Sequence, residues 1–164
     1  MMKNKQTKLL FLSILILLIS CSVTKNKSDV SMKNHIIRLK PGEDLLESIQ
    51  RYVLNNQIEA GWMVTCAGSL TDYSIRMANQ PDATIGSGHF EIVSLTGTLS
   101  NAGAHLHLCI SDSTGKTIGG HMMTGNKIYT TAEIVIQSDS SFTFTREQDG
   151  STPWKELQIR KKKS

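Results

Sequence analysis

The segment His105-Leu106-His107-Leu108-Cys109-Ile110-Ser111 alternates polar and apolar residues without a break, which is the period of a half-buried β-strand. Leu106, Leu108 and Ile110 then share the core face, while His105, His107, Cys109 and Ser111 share the other, so the imidazoles are not core packing. Asp112-Ser113-Thr114-Gly115 follows as a turn. A three-residue loop Ser113-Thr114-Gly115, with Gly115 in the left-handed position, is a common hairpin geometry. In that register His107 stands directly opposite His121 of Gly119-Gly120-His121. Directly opposed strand residues have Cβ atoms about 4.5–5.5 Å apart, and zinc takes imidazole nitrogens at about 2.0–2.1 Å. His107 and His121 would therefore share one ion, with His105 as third ligand. A loop one residue shorter or longer would turn His121 to the wrong face.

Three neutral nitrogens favour zinc, admit other transition ions, and disfavour magnesium or calcium. Three protein ligands also leave a fourth position open, as catalytic zinc does and closed structural zinc does not. The competing reading is of ordinary polar residues on a solvated sheet face. A hydrolase would further need a general base, and Glu91 and Glu133, on nearby expected strands, are the available carboxylates behind the ligands, although spacing brings neither to the metal. Cys109 lies a further pleat along the histidine face and reads as a small semi-buried thiol.

The start of the chain points to export. Lys3, Lys5 and Lys8 precede an apolar run from Leu9 to Ile19 broken only by Ser13, too short for the roughly 20 residues of a spanning helix but suited to a signal-peptide centre. The run ends in Leu18-Ile19-Ser20-Cys21, which resembles the bacterial lipobox, where the peptide is cut before a cysteine that is then lipidated. Residues 1–20 are thus expected to be a lipoprotein signal peptide, 21–33 a flexible Ser/Lys/Asn-rich tether, 34–160 one folded domain and 161–164 a basic tail. The mature protein would face the periplasm or the cell surface on a lipid anchor.

Cleavage would also change the charge. The full chain is formally +4; loss of Lys3, Lys5 and Lys8 would leave residues 21–164 near neutral, with 15 basic against 14 acidic side chains, and within them residues 31–152 hold 8 Lys or Arg against 12 Asp or Glu, a net of −4. The folded body therefore lacks the basic footprint of a nucleic-acid binder, and Arg160 to Lys163 read as a solvated end. Cys66 and Cys109 are candidates for a disulfide in an oxidising compartment or for two free thiols.

Within the body, His35 to Leu39 predicts a short strand, and Pro41-Gly42 ends it. Glu43, Asp44 and Glu47 load a helix N-terminus with negative charge, Leu45, Leu46, Ile49 and Val53 recur at helical spacing, and Asn55-Asn56 can close that helix. The rest reads as strands: Trp62 to Ala67 and Tyr73 to Met77 around Gly68-Ser69, Phe90 to Leu99, the histidine hairpin, Ile128 to Gln137, Ser141 to Thr145, and Glu156 to Ile159. One helix covering a largely antiparallel sheet of about seven strands makes an α+β domain.

From Arg38 to Ile159 the chain resembles the plants-and-prokaryotes conserved (PPC or PCC) domain family. The resemblance is carried by Arg38-Leu39-Lys40-Pro41-Gly42-Glu43-Asp44-Leu45, Ala67-Gly68-Ser69-Leu70, Ser74-Ile75-Arg76 and Gly88-His89-Phe90-Glu91-Ile92-Val93. It continues in His105-Leu106-His107-Leu108, Gly119-Gly120-His121, Thr130-Thr131-Ala132-Glu133 and Phe144-Thr145-Arg146-Glu147. It implies a compact α+β homotrimer and, as in prokaryotic members, a zinc site at His105, His107 and His121. His89 stands where the family hexapeptide has arginine, and an imidazole cannot reproduce the guanidinium's fork of donors. The DNA-binding label of the family comes from plant members with AT-hook segments, and no Arg-Gly-Arg-Pro core of that kind occurs in this sequence.

Three functions are compatible with these features: a lipid-anchored trimeric metal module that binds a small molecule or a protein, a metal-dependent hydrolase, and a DNA-binding protein. The first is favoured, because the sequence writes a metal scaffold but no nucleophile pair or phosphate loop; specific nucleic-acid binding is not expected. The anchor is tested by Cys21→Ala, which should abolish lipid labelling and membrane fractionation. Recovery of the unmodified full-length chain in the cytoplasm would contradict it.

Overall fold

The computed structural model describes residues 31–163; the expected signal peptide, Cys21 and the expected tether up to residue 30 lie outside them. Eight strands and one helix follow in the order β1 (Met32–Leu39), α1 (Leu45–Asn55), β2 (Gly61–Arg76), β3 (Ala83–Ser100), β4 (Gly103–Ser111), β5 (Thr117–Met122), β6 (Lys127–Asp139), β7 (Phe142–Glu147) and β8 (Glu156–Lys161). The first six strands form one sheet in the order β1-β6-β2-β3-β4-β5, and β7 with β8 forms a separate hairpin. All pairings are antiparallel. This is the expected α+β arrangement, with eight strands rather than about seven.

Local chemistry explains the helix. Asp44 caps it, accepting a hydrogen bond from the Glu47 amide at 3.1 Å, which satisfies one of the otherwise orphaned first-turn donors. The same carboxylate accepts from the Gly125 amide at 2.8 Å and pairs with Lys127 at 3.7 Å, tying the helix start to the β5–β6 connection. Leu45, Ile49 and Val53 are buried along one side of α1 and join a single core with Leu99, Leu106, Leu108, Ile110, Ile134 and Ile136. Helix packing thus fixes which face of the sheet is the inside.

Gly68-Ser69 does not separate two strands. Strand β2 runs unbroken through it for 16 residues, because Gly68 serves a close approach: a Cβ there would lie 2.2 Å from the Thr131 carbonyl oxygen of β6. Its pairing with β6 shifts register on both sides of Leu70, and such irregularities bend a long strand. The bend matters at the far end, where Ile75 and Arg76 pair with Met122 and His121 of β5. Strands β2, β3, β4 and β5 are thereby closed into a ring.

The C-terminal basic run is not a free end from residue 161. Strand β8 extends through Lys161, Arg160 pairs with Glu147 at 2.7 Å, and Lys162 pairs with Glu59 at 2.9 Å. Alternation in Leu157-Gln158-Ile159 carries the strand onward, so two of the tail's charges are neutralised against the domain. Cys66 and Cys109 are both free thiols. Cys66 is packed in the core, where burial pushes its thiol up to about 12, whereas Cys109 keeps to the histidine face.

Gly97 of β3 sits between the partners of His105 and His107 with φ +137°, and a Cβ there would lie 1.9 Å from the His105 carbonyl oxygen. Both the backbone conformation and the close strand approach therefore require glycine. Gly97→Ala should lower unfolding stability by about 2–4 kcal/mol in chemical denaturation. A change below about 0.5 kcal/mol, the range of neutral surface substitutions, would contradict this placement.

Candidate metal centre

The β4–β5 hairpin has the geometry its sequence predicts. Asp112 and Lys116 close it through an Asp112 N–H to Lys116 O bond of 3.0 Å, and Gly115 takes φ +82°. The loop is therefore Ser113-Thr114-Gly115. Asp112 Oδ1 accepts from the Thr114 hydroxyl at 2.6 Å and from the Thr114 and Lys116 amides at 2.8 and 3.1 Å, and these bonds, the hydroxyl's first, draw that carboxyl below its usual range. Leu106, Leu108 and Ile110 are buried beneath, and His107 pairs with His121.

His105, His107 and His121 meet on the outer face, each with a ligand atom within 4.8 Å of the others'. The Nε2 atoms of His105 and His107 are 3.1 Å apart. Ligands on a tetrahedral ion with bonds of about 2.0–2.1 Å are separated by about 3.3–3.4 Å, so this pair already stands near ligand spacing. His121 Nδ1 is buried and has no hydrogen-bond partner among the described residues. Such an orphan costs about 1–3 kcal/mol unless something fills it. The donor set and this unfilled nitrogen fit a borderline-soft transition ion such as zinc.

Two guanidiniums stand beside the cluster. Arg76 is the strand partner of His121, and Arg146 of β7 donates to Thr98 Oγ1 at 3.0 Å, Thr98 being the partner of His105. Burial, followed by the charges of His105 and Arg76, pushes the His121 imidazole down to about 4. Burial and then Arg146 lower His105 as well. Both rings are thus held neutral, the form that binds metal.

The carboxylates considered from the sequence are not brought to the cluster. Glu91 is exposed on the histidine face but pairs with Ser111, four residues along β4 from His107 and therefore about 13 Å away. Glu133 lies on β6 between Arg38 of β1 and Ala67 of β2, and β6 does not adjoin β4. His89 is set against the Tyr129 ring, with centroids 4.3 Å apart, and Cys109 is not among the clustered ligand groups. The carboxylate that does line the cleft by the histidines is Glu156, with Arg76, Arg146 and Trp154. Sequence spacing missed these four, since the β2–β5 pairing and the C-terminal hairpin bring them in from distant positions.

Fold and site together describe a small antiparallel domain carrying three outward imidazoles on one hairpin. Residues 26–140 match the Plants and Prokaryotes Conserved (PCC) domain. The chain belongs to that family. The match ends before β7, so Phe144 to Glu147, which the sequence resemblance included, falls outside it. The chain is 38% identical over 131 residues to the bifunctional protein GlmU of Synechococcus sp. (strain JA-3-3Ab), covering 80% of this chain and 21% of that protein. It thus spans about a fifth of the length of that curated relative. Among solved structures, a hypothetical protein from Salmonella cholerae-suis superposes with a TM-score of 0.79 at 39% identity, covering 80% of this chain and 96% of the other. A metal-containing protein from Archaeoglobus fulgidus shares the fold with a TM-score of 0.66 at 22% identity, over 77% of this chain and 93% of that one.

The depressed imidazoles have a consequence for the metal-free protein. Unfolded His121 gains its proton near pH 6.5, whereas the folded residue resists protonation until about 4, so the unfolded state binds more protons between these values. Stability present above pH 6.5 is then lost as pH falls toward 4, and lowered His105 and His35 add in the same direction. The melting temperature of the metal-free chain should fall across this window, less steeply for His121→Gln. A melting temperature that is flat or rises on acidification would contradict the assignment.

Proposed function

We propose that this protein is a lipid-anchored metal-binding module that holds zinc at His105, His107 and His121 and binds a small ligand at the metal's open side. The observation that carries this reading is the gathering of three imidazoles on the solvent side of the sheet, one with a buried nitrogen that lacks a partner. The metal-containing fold relative from Archaeoglobus fulgidus supports it. Zinc would supply Lewis acidity there. The chain's own residues orient the rings: Leu106 and Leu108 anchor β4 in the core, and the Asp112 turn fixes His121 against His107.

Ligand binding is favoured over hydrolysis because Arg76, Arg146 and Lys155 outnumber Glu156, the one carboxylate lining the cleft among the described residues, while Glu91 and Glu133 stand elsewhere on the sheet. DNA binding is disfavoured by the lack of net positive charge over the described residues 31–163, 13 Lys or Arg against 13 Asp or Glu, and by the pairing of Arg160 and Lys162 with carboxylates. In this reading Cys21 tethers the domain to a bacterial membrane by its lipid. Assembly as a homotrimer is part of the same proposal. Its support is the resemblance to the family, together with the sheet edge at β1, which among the described residues pairs only with β6, since an unpaired strand edge favours association.

Metal content decides between this reading and a solvated polar face. The purified chain should carry about one zinc by mass spectrometry near neutral pH, and His105→Ala, His107→Ala and His121→Ala should each lose most of it while remaining folded. The same metal content in all four proteins would contradict the proposal.

A further inference from the structure

We propose that the cleft beside the three histidines is an oxyanion site, in which the guanidiniums of Arg76 and Arg146 hold a carboxylate or phosphate group of the ligand against the open side of the metal position. The proposal rests on the metal reading and names the class of ligand for it. The cleft has a volume of about 390 Å³, at the lower end of small-molecule sites. His105 and His121 line it together with both arginines, Trp154 and Glu156.

The two guanidiniums are under-used. Each offers five donors in a planar fork suited to carboxylate and phosphate. Arg76 donates to the Gln80 carbonyl oxygen at 3.4 Å, and Arg146 donates to Thr98 Oγ1 at 3.0 Å. Among the described residues neither has a carboxylate within ion-pair distance, although four other basic side chains do. Both are half-buried, and arginine is rarely desolvated without a partner. Arg76 is held over the Trp154 ring at 5.5 Å from its centroid, and Arg146 is fixed by its bond to β3. These are positioned cations with donors to spare.

Their location makes an anion the ligand that reconciles the local charge. Two guanidiniums beside three imidazoles repel a bare cation, and they stop doing so once an anion lies between them and the metal. Glu156 also lines the cleft and opposes anion entry, but Arg76, Arg146 and Lys155 outnumber it. Arg146, Trp154, Lys155 and Glu156 all come from the segment after residue 140, where the family match stops. The C-terminal hairpin therefore adds a charged wall to the domain's histidine face.

Calorimetric titration of the zinc-loaded full chain with inorganic phosphate and, separately, with malonate tests the assignment. At least one probe should bind, and the tighter one identifies the group recognised. Arg76→Gln and Arg146→Gln should each weaken that binding about tenfold or more with zinc content unchanged by mass spectrometry, while Arg146→Lys keeps part of the affinity. Arg76→Gln, which leaves the Arg146 tie to β3 intact, keeps the test valid if Arg146→Gln lowers the melting temperature. Unchanged affinity in Arg76→Gln, or no binding of either probe by the wild type, would overturn the oxyanion site. Should the wild type carry no zinc, the metal reading fails by itself, and arginine-dependent binding of a probe to the metal-free chain would still uphold the anion cleft.

Discussion

The register of the β4–β5 hairpin governs the position of every group at the candidate site. Side chains in a strand alternate faces, so a slip of one residue would send His121 inward and expose Gly120 and Met122 in its place. Two independent constraints oppose that slip. Asp112 and Gly115 hold the loop to three residues, and burial of Leu106, Leu108 and Ile110 against α1 and the other strands fixes which face is inside. Burying each such side chain stabilises by about 1.5–3 kcal/mol, so the wrong face would be costly several times over.

Closure of β2 onto β5 turns this hairpin into a site with an electrostatic character. Buried Asn126 accepts from the Ser74 amide at 3.0 Å, and the Met123 amide donates to the Ser74 carbonyl at 3.0 Å. These bonds keep the end of β5 against β2 and so keep Arg76 opposite His121. The hairpin of β7 and β8 completes the wall through Arg146. Charge at the site is therefore a product of tertiary pairing, whereas the ligand set is a product of local pattern. The metal position sits where these two levels meet, with the His105 and His121 imidazoles kept neutral by burial and by neighbouring guanidiniums.

That division also explains what was legible in the sequence. The His107–His121 pairing follows from an alternating run and one turn, both contiguous, and the helix follows from its Asp44 cap and apolar spacing. Glu91 and Glu133 could not be placed because their distance from the histidines depends on strand order, which is set by pairings remote in sequence. Gly68 looked like punctuation, yet it marks a close passage past the Thr131 carbonyl inside one long strand. Arg76 lies in a stretch that carries the family resemblance but gives no local sign of the site, since only the pairing of β2 with β5 brings it to His121. The run Arg160-Lys161-Lys162-Lys163 reads as a tail by charge, while Leu157 and Ile159 just before it carry the strand that anchors two of those charges.

X-ray absorption at the zinc edge of the loaded protein reports ligand type and distance at the three histidines without any substitution. About three imidazole nitrogens and one further light-atom ligand are expected at about 2.0–2.1 Å. A sulfur neighbour at about 2.3 Å, which would draw Cys66 or Cys109 into the coordination, or fewer than three imidazoles, would contradict a three-histidine site.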